Sequence, residues 1–347
     1  MKRHLLFSSL LLAVTLTIDA HAASSSASYT YHDLGTLGGF ATYAHGINAS
    51  GQVTGESQLP DGIYHAYITG PSGAGMTDLG TLGANDSLGE GINASGQVTG
   101  YYYVDSSYKT FHAYITGPNG AGMTDLGALE PYNSIAQAIN DNGQVAGYYF
   151  LDSNNTNYHA YITGPNGEGM TDLGTLDGSA SWANGINASG QVVGGYITSS
   201  DNAHAFITGP NGATMTDLGT LAGRSQSVAN AINVSGQVAG VSYTDGTDFH
   251  AFITGANGAG MTDLGTLGGS QSYARAINTS GQVVGFSDTS KGDSHAFIYT
   301  PGQGMIDLNS LVRLRGKDYL YEASTINDQG QITAYSIFGH VYLLSPK

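Results

Sequence analysis

Residues Ile47-Asn48-Ala49-Ser50-Gly51-Gln52-Val53 decide the fold, because the phrase recurs. Its asparagine returns as Asn93, Asn140, Asn187, Asn233, Asn278 and Asn327, at spacings of 45, 47, 47, 46, 45 and 49 residues. A turn-forming Asn-x-x-Gly between apolar residues is the tip of a hairpin. Two other phrases keep step with it. His-Ala-Tyr/Phe-Ile or a relative places histidines at His65, His112, His159, His204, His250, His295 and His340. Asp-Leu-Gly-Thr-Leu or a relative places aspartates at Asp33, Asp78, Asp125, Asp172, Asp217, Asp263 and Asp307. Three phrases, each present seven times in fixed order, make a repeat of about 46 residues.

Within the first unit the residues read as four short strands. Ala41 to Ile47 alternates small with larger side chains and ends at the Asn48 turn; Gln52 to Glu56 follows. Tyr64 to Thr69 is β-branched and aromatic, Pro71 to Gly75 turns the chain, and Met76 to Leu82 is the fourth strand. No window carries the 3.6-residue apolar stripe of a long helix. Four strands per unit predict an all-β, seven-bladed β-propeller over residues 29–347, with four antiparallel strands per blade. The phrase order predicts how the ring closes: the repeats open with a lone fourth strand, Tyr29 to Leu37, and end after a third, His340 to Leu344. The N-terminal strand is therefore expected to complete the last blade. Joining ends about 300 residues apart costs on the order of 5 kcal/mol. Burying Tyr29, Tyr31, Leu34 and Leu37 returns roughly 1.5–3 kcal/mol each. An open β-solenoid, the competing architecture, has no reason for this cut and mended register.

Composition narrows the function. The 347 residues carry a formal charge of −16, with only 10 Lys plus Arg against 26 Asp plus Glu, so a general nucleic-acid surface is excluded. The absence of cysteine removes disulfides, thiol catalysis and thiolate metal sites. Lys2 and Arg3 precede an apolar run from Leu5 to Ile18, and Ala20-His21-Ala22 supplies a small-residue cleavage site. Residues 1–22 thus read as a secretory signal peptide cleaved near Ala22, followed by a short linker, 23–28. The run is shorter than the roughly 20 residues of a membrane-spanning helix. Without Lys2, Arg3 and Asp19 the mature chain keeps 8 basic and 25 acidic residues, −17 in all. The expected protein is exported, periplasmic or extracellular, monomeric and without a membrane span.

At the quoted phrases the chain resembles the HAF family of extracellular repeats, named for its His-Ala-Phe tripeptide. Here the tripeptide stands as His204-Ala205-Phe206, His250-Ala251-Phe252 and His295-Ala296-Phe297, beside Asp263-Leu264-Gly265-Thr266-Leu267-Gly268-Gly269 and Ile277-Asn278-Thr279-Ser280-Gly281-Gln282-Val283-Val284-Gly285. The resemblance runs from Tyr29 to about Leu344. The first three units have Tyr for Phe, the last reads His340-Val341-Tyr342, and Thr-Gly replaces the tryptophan that often follows the tripeptide. The resemblance implies an exported repeat protein and supplies no catalytic residues.

A His near an Asp invites a catalytic or metal reading. The offset argues otherwise: His65 to Asp78 is 13 residues, as in the next four units, His295 to Asp307 is 12, and His340 meets Asp33 only through closure. Seven copies predict a buried structural hydrogen bond in every blade. The asparagines match a glycosylation pattern at Asn48, Asn93, Asn187, Asn233 and Asn278, but an Asx-turn role explains them. No cofactor or metal is expected. Acidic runs such as Asp245-Gly246-Thr247-Asp248 suggest at most weak calcium binding, since they lack the EF-hand ligand set.

Turns after strands one and three repeat closely from unit to unit; those after strands two and four vary. Asp105 to Thr110, Asp152 to Asn157 and a longer, basic Arg313 to Tyr319 are examples of the variable set. Binding specificity belongs on variable loops held by a rigid frame. Strand one is expected nearest the axis. Two residues before its Ile-Asn stand His45, Glu90, Gln137, Asn184, Asn230, Arg275 and Ser324, each preceded by Gly or Ala. This polar ring is the candidate channel lining. Two residues earlier, Tyr43, Trp182 and Tyr273 read first as inter-blade core and, alternatively, as sugar-stacking faces. The leading expectation is a non-catalytic binding or scaffold module for a glycan, a matrix component or an extracellular protein. The alternatives are a polysaccharide-active enzyme using His45, Glu90 and Arg275 at the channel mouth, and a purely structural envelope component.

Overall fold

The computed structural model describes residues 29–347 apart from 84, 130–131 and 244–247. The expected leader and linker, and all but Asp248 of the acidic Asp245–Asp248 tip, lie outside the described residues. Among the described residues twenty-eight strands form seven four-stranded antiparallel sheets. In blade one these are Thr42–Ile47, Val53–Gln58, Tyr64–Thr69 and Met76–Asp78. The only helical pieces among the described residues are three-residue 3-10 turns, and no helix is long and apolar enough to cross a membrane. First strands of adjoining blades pack against one another all the way round, blade seven against blade one included.

The ring closes as expected. Tyr29–Asp33 is the outermost strand of blade seven, paired with Val341–Pro346 in the register Tyr29↔Pro346 to Asp33↔Tyr342. It is shorter than the expected Tyr29 to Leu37, and the fourth strand of blade one also stops at Asp78, short of Leu82. The cause is local. The Asp78 carboxylate accepts the Gly80 N–H at 2.7 Å, and Gly80 turns the chain out of the ladder at φ +69.

The aromatic residue of each tripeptide fills the space between blades. Tyr67, Tyr114, Tyr161, Phe206, Phe252 and Phe297 are fully buried against alanines and valines of their own blade and aliphatic side chains of the preceding one. Polar clasps tie the blades together. The Ser87 hydroxyl, at the start of blade two, accepts the Ala66 N–H of blade one and donates to the Gly80 carbonyl. Ser134, Ser181, Ser227 and Ser272 repeat this in the following blades.

The asparagines do more than cap turns. Asn48 Oδ1 accepts the Ser50 and Gln52 N–H groups, while its Nδ2 donates to Gln52 Oε1 and, across the blade boundary, to the Asn93 carbonyl at 3.1 Å. Asn93, Asn140, Asn187, Asn233 and Asn278 each donate to the carbonyl of the next in turn, and Asn327 returns to Asn48 at 3.0 Å. Seven equivalent bonds therefore form a closed circle round the constant face.

The His–Asp pairs form in all seven blades, from 2.7 Å for His295–Asp307 to 3.1 Å for His112–Asp125 and His204–Asp217. His65–Asp78, His159–Asp172, His250–Asp263 and the closing His340–Asp33 pair lie within that range. They are not buried, contrary to expectation: the Asp78 side chain is 39 % exposed. The fourth strand is the rim of each blade, so its carboxylate meets water on one side and imidazole on the other.

Candidate functional site

Each channel side chain is aimed by the same backbone irregularity. In all seven blades the ladder between strands one and two slips by one residue, and the residue that slips is His45, Glu90, Gln137, Asn184, Asn230, Arg275 or Ser324. A β-bulge leaves one residue unpaired and redirects its side chain. The glycine of Gln-Val-x-Gly makes room opposite. A Cβ added to Gly55, Gly100, Gly147, Gly194, Gly240 or Gly285 would lie about 2 Å from the carbonyl oxygen of the partner strand. Small neighbours such as Ala44 and Gly46 let seven such strands converge on the axis.

The seven bulge residues meet in the central channel. With Tyr43, Trp182, Tyr273, Tyr321 and Tyr335 they line a mouth of about 570 Å³ on the variable-loop side. The same seven line a deeper chamber of about 220 Å³. Below it, isoleucines and turn asparagines enclose about 210 Å³ at the constant face. Tyr43, at 42 % exposure, and the half-buried Trp182 and Tyr273 line the mouth and also contact rings of the preceding blade, Tyr335, Tyr158 and Phe249.

Charge is unevenly distributed round the ring. On one wall His45 Nε2 lies 2.8 Å from Glu56 Oε2 and its Nδ1 lies 3.9 Å from Glu90 Oε2. Burial alone would lower the imidazole; the hydrogen bond to Glu56 and the fields of Glu90 and Glu56 override it and hold His45 up at about 9. Burial also raises Glu90, against the pull of His45. Two blades round the ring from His45, Arg275 donates from Nε to Glu322 and stacks over Tyr273, 4.5 Å from the ring centroid. Asn184 and Asn230 donate to carbonyls of the next blade, Ala229 at 2.9 Å and Ala274 at 2.7 Å. The channel wall is thus prearranged.

Two features correct the enzymatic alternative. Arg275 is engaged by Glu322, so His45, Glu90 and Arg275 do not form one triad. Against burial, the hydrogen bond to Glu56 and the fields of Glu90 and Glu56 favour the imidazolium, holding His45 up at about 9, which runs against the role of base at neutral pH. Glu56 and Tyr335, both close to the channel, were missed by sequence reasoning. They occupy the strand-two position held elsewhere by Tyr101, Tyr148, Gly195, Val241 and Phe286. Variation at that position within an otherwise constant phrase was the available signal. Gly195 also explains Trp182, because a Cβ there would lie 2.3 Å from the indole.

Aromatic rings continue outward from the mouth over blades two to four. Trp182 contacts Tyr158, which packs on Tyr148 and Phe150; Phe150 reaches Phe111, which touches Tyr101 and Tyr103. Tyr148, Phe150, Tyr158 and Trp182 line a recess of about 430 Å³ with Gln137 and Asn184. The Asp152 hairpin above is satisfied internally: backbone and side-chain bonds from Thr156 and Asn157 lower its carboxyl to about 2. Among the described residues no group of three or more His, Asp or Glu is placed to hold a metal ion.

The chain matches no known sequence family and no curated protein. Solved structures match its fold. YCF48 bound to D1 peptide is 12 % identical, with a TM-score of 0.56 over 92 % of this chain and 96 % of that one. A catalytically inactive virginiamycin B lyase from Staphylococcus aureus with quinupristin is 11 % identical, at 0.55 over 92 % and 100 %. TolB from Acinetobacter baumannii is 11 % identical, at 0.51 over 86 % of this chain; the match spans 64 % of TolB. At these identities the likeness establishes the fold: the chain is a seven-bladed β-propeller.

Proposed function

We propose that this is an exported, non-catalytic binding module of HAF-repeat type that holds a glycan chain at the channel mouth on its variable face. One observation carries the reading: seven bulge-directed polar side chains lie beneath half-exposed Tyr43, Trp182 and Tyr273 in a single mouth of about 570 Å³. Aromatic faces stack on sugar rings, and a fixed ring of amides, hydroxyls and charges hydrogen-bonds their hydroxyls. Matrix polysaccharide or a glycosylated extracellular protein would present the same chemistry.

A glycan array probed with residues 23–347 tests this. Retention of a defined glycan is expected, and Trp182→Ala or Tyr273→Ala should weaken it about 10- to 30-fold, the loss of roughly 1.4–2 kcal/mol of stacking and burial. Retention of no glycan, or retention unaffected by both substitutions, would refute the assignment.

The His45–Glu56–Glu90 cluster in the channel favours a second reading, a polysaccharide-active enzyme with His45 or Glu90 as general acid. New reducing or unsaturated ends released from the retained glycan, and lost in Glu90→Gln, would support it. Binding without turnover in both proteins returns the site to the first reading.

A further inference from the structure

The connection between blades six and seven breaks the repeat. From the motif aspartate to Thr42, Ser87, Ser134, Ser181, Ser227 or Ser272 in the next first strand is 9 or 10 residues, but 13 from Asp307 to Leu320 in the equivalent place. The extra chain is firmly placed. Leu308 and Leu320 are fully buried, Val312 nearly so, and Asn309 bonds both the N–H and the carbonyl of Leu320. The insertion is tied to the seam of the ring, where the Leu311 carbonyl accepts the Tyr29 N–H at 2.9 Å.

This rigid loop sets exposed Arg313 and Arg315 over a cavity of about 1060 Å³ beside the closing strand, with Lys347 on another wall. The chain has only eight Lys or Arg after residue 22, and three of them line this one cavity. None of the three has an acidic partner among the described residues, where the one Lys or Arg ion pair is Arg275–Glu322. Of the two aspartates in the wall, Asp33 pairs with His340 at 2.8 Å, and Asp318 accepts the Tyr342 hydroxyl at 3.1 Å through Oδ2 while its buried Oδ1 has no protein partner. Exposed aromatic surface lies alongside. Phe338 is 63 % exposed, and Tyr31 packs edge-on against Tyr342 at 5.1 Å.

We propose that this seam cavity is a second ligand site, separate from the channel, for a carboxylated polysaccharide of the uronate class. Unpaired guanidinium forks match carboxylates, and the adjoining rings match the sugar faces between them. The site works in an acidic protein because at physiological salt fields decay over about 8 Å, so a ligand in the cavity meets the local cations and not the net charge.

The test is calorimetric titration of residues 23–347 with an oligogalacturonate, its methyl-esterified counterpart and poly-glutamate at 150 mM salt. Saturable binding of the oligogalacturonate is expected, with the ester at least tenfold weaker and poly-glutamate weaker than the sugar. R313Q/R315Q should lose at least tenfold with an unchanged melting temperature, R313K/R315K should retain part of the affinity, and Trp182→Ala should retain all of it. No binding, equal binding of the ester or of poly-glutamate, or full affinity in R313Q/R315Q would overturn the proposal. Loss in Trp182→Ala alone would move the uronate to the channel and equally overturn the seam site.

Discussion

His45 stands between two carboxylates inside a channel only one third open to solvent at that side chain, and the consequence is a proton held well past neutrality. Its folded value, about 9, lies above the ordinary 6.5. The stabilisation it brings is complete below pH 6.5 and is lost as the pH rises through 9. An NMR titration of the His45 ring should therefore give a midpoint near 9, and the melting temperature of the wild type should fall towards that of His45→Gln between pH 6.5 and 9. A ring titrating near 6.5 would show that Glu56 and Glu90 do not grip it. The sequence displayed His45 and Glu90 as one polar ring, since both precede Ile-Asn by the same step. Their pairing with Glu56 was not legible, because contact across strands depends on the bulge and not on spacing along one strand.

The bulge is the element on which the site depends. Strand one pairs normally with strand two, slips once, and resumes; the slip turns an ordinary edge of small residues into an inward row of polar groups. It also explains why Gln-Val-x-Gly keeps its glycine in six units. A methyl at Gly194 would sit 1.9 Å from the Trp182 carbonyl oxygen, so Gly194→Ala should cost about 2–4 kcal/mol in denaturant unfolding and shift Trp182. A cost below about 0.5 kcal/mol would mean that the bulge is not required. Blade seven tolerates Ala334 at this place and carries a second slip, between Leu320 and Glu322. Strand ends were read less well than strand identities. Met76 to Leu82 was expected to continue as strand, yet the Asp78 carboxylate takes the Gly80 N–H and bends the chain away. A side chain that competes with the ladder leaves no trace in alternation of polarity.

Across the whole molecule two features, beside the packing of blade seven on blade one, help hold the ring shut: strand Tyr29–Asp33 on blade seven and the Asn327-to-Asn48 bond on the constant face. The first was readable from the order of the phrases. The second was not, since seven identical asparagines look like seven separate turns until the blades are placed side by side. Deleting residues 29–33 removes buried Tyr29 and exposes the edge of Val341–Pro346, so the melting temperature should fall by roughly 5–15 °C. An unchanged value would mean that closure contributes nothing to stability. The division of labour follows from the same ring: one face is occupied by its own asparagine circle, and the other opens on Trp182 and its neighbours. Trp182 is the only tryptophan in the chain, so its emission reports on the channel mouth alone. The most direct measurement is a fluorescence titration with the glycans an array retains. A saturable change in emission, lost in Tyr273→Ala, is predicted; emission that stays constant while a retained glycan binds would place the ligand elsewhere and contradict the account.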